Sequence, residues 1–308
     1  MGKRINVAVV GLGRMGLGVV ERLLAAGHRV TGYDVSPAAR AAAKRRGAKA
    51  VDHLAELMSA TPRPRILWLM LPAGRAIDDL LFDGPDALAA QLSRRDVVVD
   101  GGNSHYRDSM SRAARLHKQR SVRLLDCGTS GGVQGRRAGY CLMVSGDAAA
   151  FRFCRPVFTA LAARGGYARV GPSGAGHYVK MVHNAIEYAM LQSLGEGFSL
   201  LAAAPLKLDP AQVAELWTRG SVIRSHLVEL AHDALARPGH FEKIAPKAGG
   251  GQTGAWAVQE ARRLGLAVPA IALALKERKR RPANEFAARL VAALRWEFGR
   301  HPFETKAE

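Results

Sequence analysis

The sequence predicts an α/β protein: an N-terminal doubly wound parallel sheet followed by an all-helical C-terminal domain. Three observations predict it. Short apolar runs alternate with helical patterns through the first half, a glycine-rich turn follows the first run, and strand-like runs stop after Gly174. Strands that alternate with helices pair in parallel, because each helix carries the chain back along the sheet.

The elements follow in order. Residues 5–10 form a buried-strand candidate, and residues 15–26 a helix that Gly27 ends. Residues 30–33 make a second strand, after which Ser36 and Pro37 open an alanine-rich helix closing at Gly47. Residues 66–71, 97–100 and 122–127 supply further strands. From Tyr178 onward the pattern is helical. The glycine-rich stretch between 165 and 174 places the boundary, so residues 1–172 form the sheet domain and 173–308 the helical one.

A chain of 308 residues with 48% hydrophobic and 23% charged residues is long enough to bury two cores. Its formal charge of +19 invites a polyanion as partner. The basic residues are scattered, however, through Lys44-Arg45-Arg46, Arg136-Arg137 and residues 276–281, with no zinc-finger or aromatic platform. Nucleic acid is therefore not the expected partner. No apolar run approaches membrane-spanning length, and the N-terminus leads straight into the first strand without a cleavage site. The three cysteines, Cys127, Cys141 and Cys154, have no metal-ligand spacing and leave one over in any disulfide scheme. A reducing, cytoplasmic setting is the expectation, and no metal site is assigned.

Gly11-Leu12-Gly13-Arg14-Met15-Gly16 is a G-x-G-x-x-G that follows a strand and opens a helix, with Asp34 ending the next strand. That context identifies a dinucleotide site of the Rossmann type. Gly11 permits the turn, Gly13 lets the backbone approach the pyrophosphate, and Gly16 lets helix and strand pack closely. The phosphates then face the helix N-terminus. A carboxylate at Asp34 accepts from ribose hydroxyls and repels an added phosphate, which predicts NAD rather than NADP. Leu71-Pro72-Ala73 and Asn103, in turns after two further strands, are assigned to the same cofactor.

Residues 174–188 carry a second signal. On a helix, Lys180, His183, Asn184, Glu187 and Tyr188 fall at i, i+3, i+4, i+7 and i+8 and share one face. The other positions are apolar almost all round, so the helix is expected to be buried on most sides with its polar ridge lining a site. Lys180 and Glu187 lie two turns apart, roughly 10 Å along the axis, too far for an ordinary helical ion pair.

These residues resemble the 6-phosphogluconate dehydrogenase family. Asp100-Gly101-Gly102-Asn103-Ser104 looks like its Asn-bearing loop, and Gly128-Thr129-Ser130-Gly131-Gly132 with Gly139 like its substrate-clamping loop. Lys180-Met181-Val182-His183-Asn184 with Ile186-Glu187-Tyr188 is similar to its catalytic helix, and Arg295 with Phe298-Gly299-Arg300-His301 to its tail. The length is that of the family's short, NAD-preferring forms.

The resemblance implies oxidative decarboxylation of 6-phosphogluconate to ribulose 5-phosphate and CO2, with Lys180 as base and Glu187 as acid. Asn103, Ser130, Gly131, Gly132, His183 and Asn184 would orient the substrate, while Tyr188, Arg278 and Arg295 would hold its phosphate. It further implies a homo-oligomer in which Arg295 and His301 serve the neighbouring subunit's site. One departure stands out: Gly250-Gly251-Gln252 precede Thr253-Gly254-Ala255-Trp256 where the family has a phosphate-binding Lys, and Lys247 is the candidate replacement. Two other readings compete. One is a non-decarboxylating β-hydroxyacid dehydrogenase. The other is a catalytically silent basic protein that binds NAD or nucleic acid.

Overall fold

The computed structural model describes residues 4–305. Eight strands form one sheet: β1 (Asn6–Val10), β2 (Arg29–Tyr33), β3 (Lys49–Ala50), β4 (Arg65–Leu69), β5 (Val97–Asp100), β6 (Arg123–Ser130), β7 (Tyr140–Ser145) and β8 (Ala162–Gly171). Their spatial order is β3-β2-β1-β4-β5-β6-β7-β8. The first six are parallel, and β7 turns antiparallel to β6 while pairing in parallel with β8.

Two buried clusters show that both faces of the sheet are covered. Val7, Val9, Ile66 and Trp68 belong to one, with Val19 and Leu23 of helix α1 (Arg14–Ala25). Ala8, Val10, Leu67 and Leu69 belong to the other. Alternate residues of a strand point to opposite faces, so each strand feeds both clusters and reads as a continuous apolar run. The remaining helices of this part are α2 (Pro37–Arg45), α3 (Leu54–Ser59), α4 (Arg75–Asp78), α5 (Tyr106–Arg120), α6 (Gly135–Ala138) and α7 (Ala148–Leu161). Ser36 caps α2 as its position predicts, its hydroxyl accepting from the Ala39 amide at 3.3 Å.

Three strands have no counterpart in the sequence reading. β3 has only two residues, and β7 mixes Cys, Met and Ser. β8 reads Ala-Ala-Arg-Gly-Gly-Tyr-Ala-Arg-Val-Gly and lies at the sheet edge, largely exposed, so no apolar alternation marks it.

The second part is helical: α8 (Ala175–Ala203), α9 (Pro210–Trp217), α10 (His226–Leu235), α11 (His240–Lys243), α12 (Gln252–Arg263), α13 (Pro269–Lys279) and α14 (Glu285–Gly299). Its core gathers Leu191, Phe198, Leu230, Phe241, Leu290 and Leu294. Apart from an isolated bridge between Ile244 and Thr305, the described residues of this part pair no strands. No helix among the described residues is long and apolar enough to cross a membrane.

The chain divides into compact units after Lys180. The first turns of α8 belong with the sheet because Gly176 lets them lie directly on it. A Cβ there would stand 2.4 Å from the Met143 carbonyl oxygen and 2.6 Å from that of Asp126. The expected burial of α8 on most of its sides is not found. Met181, Ala185 and Tyr188 are buried, but Val179 (38% exposed), Val182 (38%), Ile186 (50%) and Met190 (40%) form an exposed apolar stripe.

Candidate active site

The loop between β1 and α1 is shaped by its glycines. Gly11 has φ +90°, and a Cβ there would fall 2.3 Å from the Met70 carbonyl oxygen. A Cβ on Gly16 would fall 1.9 Å from the Gly11 carbonyl oxygen. Both glycines are demanded by the protein's own packing. Gly13 differs, because a Cβ there would meet nothing within 4 Å. The space beside Gly13 suits the approach of a ligand, the role its place in the fingerprint assigns. Gly13 also caps α1 without a side-chain hydrogen bond, and the first turn carries no acidic residue. An anionic pyrophosphate fits such a terminus. Arg14 is exposed, Met15 half-buried and Leu12 buried in this loop.

Asp34 is fixed by the same loop. Its Oδ2 accepts from the Leu12 amide at 2.7 Å and its Oδ1 from the Ser36 amide at 2.8 Å. The cations nearest this loop are engaged by their own chain. Arg40 donates to the carbonyl oxygens of Asp34 (2.8 Å) and Val35 (3.2 Å) and pairs with Asp52 at 3.3 Å. Lys44 shares Asp52 at 3.5 Å.

The loops after β4 and β5 interlock. A Cβ on Gly102 would lie 2.7 Å from the Leu71 carbonyl oxygen, which seats the Asn loop against Leu71-Pro72-Ala73. Buried Asp100 brackets this loop, accepting from the Gly102 amide at 3.0 Å and the Ser104 hydroxyl at 2.7 Å. Asn103, between them, faces outward and is exposed. Ser130 ends β6, and the following Gly131 (φ +118°) and Gly132 (φ +53°) take left-handed conformations that favour glycine. Lys180 meets the same strand: a Cβ on Gly128 would lie 2.5 Å from the Lys180 Cβ. Lys180 itself is half-buried.

Further along α8, His183 Nδ1 and Asn184 Oδ1 lie 3.1 Å apart, and both residues, like Glu187, are half-buried. One turn on, the helical unit assembles a cationic cluster. The Tyr188 hydroxyl meets the Thr253 hydroxyl at 3.2 Å, and the Arg278 guanidinium lies 3.5 Å above the Tyr188 ring. Gly254 is needed for this packing, since a Cβ would stand 2.5 Å from that ring. Burial pushes Arg278 down to about 10, and Nη2 is buried without a hydrogen-bond partner. Burial lowers Arg295 as well, with the Tyr188 hydroxyl and Glu187 acting the other way.

Arg295 thus interacts electrostatically with Tyr188, Glu187 and Arg278, and its Nη2 lies 2.9 Å from where a Gly250 Cβ would be. His301 is exposed, its ring 5.9 Å from that of Phe298. Lys247 lines a cavity of about 270 Å³ with Arg278, but its ammonium pairs with Glu304 at 2.6 Å. Beside the Gly251 gap run Leu275, whose Cδ1 lies 3.3 Å from the absent Cβ, and Lys279, whose Cε lies 4.0 Å from it. Sequence reasoning also missed Thr253 and Asp100 as working parts. Thr253 stood inside a quoted motif, but its pairing with Tyr188 depends on packing 65 residues apart.

Comparison with known proteins agrees with this layout. Residues 6–171 match the model of the NAD binding domain of 6-phosphogluconate dehydrogenase, and residues 176–284 match that of its C-terminal domain. An NAD(+)-dependent, decarboxylating 6-phosphogluconate dehydrogenase of Haloferax volcanii is 45% identical over 305 residues, covering 98% of this chain and 99% of that protein. A putative 6-phosphogluconate dehydrogenase of Bacillus subtilis is 39% identical over 98% of this chain and all (100%) of its own length. Among solved structures, Plasmodium falciparum 6-phosphogluconate dehydrogenase is similar with a TM-score of 0.78 and 27% identity, covering 89% of this chain and 61% of that one. Mycobacterium tuberculosis 3-hydroxyisobutyrate dehydrogenase, at 23% identity and a TM-score of 0.72, shares the fold. The chain belongs to the 6-phosphogluconate dehydrogenase family.

Proposed function

We propose that the protein catalyses the NAD-dependent oxidative decarboxylation of 6-phosphogluconate to ribulose 5-phosphate and CO2. The observation that carries this reading is the Tyr188–Thr253–Arg278–Arg295 cluster in the same chain as the dinucleotide loop. Two hydroxyls and two half-buried guanidiniums suit a phosphate dianion, which guanidinium forks bind in bidentate fashion.

NAD held at the glycine-rich loop would supply the acceptor for the hydride that leaves the substrate's C3. Lys180, neutral before reaction, takes the proton of the C3 hydroxyl. The resulting 3-keto acid then loses CO2, and the protonated Lys180 polarises its carbonyl as charge builds on that oxygen. Glu187 delivers a proton to C1 of the enediol, completing ribulose 5-phosphate. Asn103, Ser130, Gly131, Gly132, His183 and Asn184 orient the carboxylate and hydroxyls, and Asn103 together with Leu71-Pro72-Ala73 also borders the cofactor. NAD would be preferred over NADP because the Asp34 carboxylate would repel a second phosphate on the ribose while Arg40 is held by carbonyls and Asp52. A reducing, cytoplasmic setting belongs to this reading, supported by three free thiols.

Self-association is also part of it. Leu200, Leu206, Leu216, Val222 and Leu266 are 60% exposed or more, in addition to the apolar stripe of α8, and such a stripe is surface that a partner copy could cover. Arg295 and His301 are the tail residues we propose to be shared between subunits. Light scattering should find a multimer, and an active monomer would remove this part.

One coupled assay tests the whole. With 6-phosphogluconate, NADH and CO2 should appear in equal amounts, and gluconate should be a much poorer substrate. NADH without CO2, from an unphosphorylated acid, would replace the reading with a simple β-hydroxyacid dehydrogenase.

A further inference from the structure

We propose that Asp126 is a positioning residue for the reaction, the buried carboxylate that sets Lys180 in register with Ser130. The inference rests on the reading of Lys180 as the base.

Asp126 lies in the middle of β6 with no exposed surface. Its Oδ1 accepts from the Gly174 amide at 2.7 Å and the Ser145 hydroxyl at 2.5 Å, and its Oδ2 from the His177 amide at 3.0 Å. Gly174 and His177 belong to the start of α8, where the first amides have no partner within the helix. Buried amides must find an acceptor, and an anion is favoured at that end of a helix. A helix ordinarily solves this with a neighbouring Ser, Thr, Asp or Asn. Ser173 stands beside this helix start, yet its hydroxyl is buried and makes no hydrogen bond. The cap comes instead from a strand 48 residues away.

The distance in sequence changes what the cap does. A local cap satisfies amides but leaves the helix able to shift over its support. A cap from β6 ties α8 to that strand. Asp126, Gly128 and Ser130 fall on one face of β6, since side chains alternate. His177 and Lys180 fall on one face of α8, three residues apart. The same two faces touch again where Gly128 receives the Lys180 Cβ and Gly176 meets the Asp126 backbone. Asp126 is therefore the polar clamp of an otherwise glycine-lined contact, and it determines where the amine stands relative to the Ser130 loop. A displacement of about 1 Å in such a group costs on the order of 100-fold in rate.

The test is Asp126→Asn, which keeps the shape but replaces one acceptor oxygen with a donor. A folded variant should bind NAD as tightly as the parent and keep KM for 6-phosphogluconate within about threefold, while kcat falls roughly 30- to 100-fold. The primary deuterium isotope effect on kcat, with substrate deuterated at C3, should rise as the oxidation step becomes limiting. A folded variant with kcat within about threefold of the parent overturns the proposal, as does a loss of kcat matched by an equal loss of NAD affinity, which would mark general loosening. Should Asp126→Asn not fold, Gly128→Ala displaces Lys180 directly; it must give the same signature, and parental kcat there overturns the proposal. Lys180→Met separates the two levels. Substantial NADH production by that variant removes the base assignment and this proposal together. An inactive Lys180→Met beside a fully active Asp126→Asn removes the positioning role alone.

Discussion

The guanidinium of Arg278 lies 3.5 Å above the ring of Tyr188, in a place where burial makes its charge costly. A cation held there gains when an anion arrives. Arg278→Met should raise KM for 6-phosphogluconate by about 10- to 100-fold, from the loss of a charge-assisted hydrogen bond worth roughly 1.5–3 kcal/mol, and leave gluconate turnover unchanged. Steady-state kinetics with both acids checks this.

The same burial sets a pH dependence. A base pushed down to about 10 is charged below that pH and neutral above it, so KM for the phosphorylated substrate should climb as pH passes 10. For stability the sign is the reverse of an ordinary ion pair. The folded state holds this proton less tightly than the unfolded chain does, so the charged form costs stability below about pH 10 and the cost fades above it. Adding 6-phosphogluconate at neutral pH should offset that cost and raise Tm, measured by calorimetry.

Gly13 and Gly16 should respond differently to the same added methyl. Gly16→Ala drives a Cβ into the Gly11 carbonyl and should destabilise the sheet unit by several kcal/mol. Gly13→Ala meets no protein atom within 4 Å, so Tm should hold while NAD affinity falls at least about 10-fold, as a methyl takes the room of a phosphate. Paired melting curves and NAD titrations decide it.

Asp34→Asn removes a charge and one of two acceptors that hold the Leu12 and Ser36 amides. The kcat/KM with NAD should drop about 10-fold, and the NADP to NAD ratio should rise by at least as much. A ratio that stays put would show that Arg40, tied to Asp52, governs the choice instead.

Lys180→Met should cut NADH formation by about 10²- to 10⁴-fold, the range for a lost general base. Glu187→Gln should spare the oxidation more than the later protonation, leaving a burst of NADH ahead of ribulose 5-phosphate in rapid-mixing experiments.

The sheet was legible where strands are buried on both faces, as in β1, β4 and β5, because such strands need unbroken apolar runs. It was illegible at β8, whose exposed edge asks for no pattern. The glycine-rich loop and the order of Lys180, His183, Asn184 and Glu187 could be read because their chemistry depends on local spacing. The partnership of Thr253 with Tyr188, and of Asp126 with the start of α8, depends on packing between distant segments and leaves no local trace. The apolar residues of α8 misled for a related reason: Val182 and Ile186 are hydrophobic without being covered within one chain.

The unbroken run of α8 from Ala175 to Ala203 has a last consequence. Amine and carboxyl hang from one rod, so the spacing between them is a count of residues, and one extra residue between positions 180 and 187 would swing everything beyond it by about 100°. Letters along this rod can drift while its length cannot. In related chains, insertions should accumulate in the connecting loops and never in this stretch.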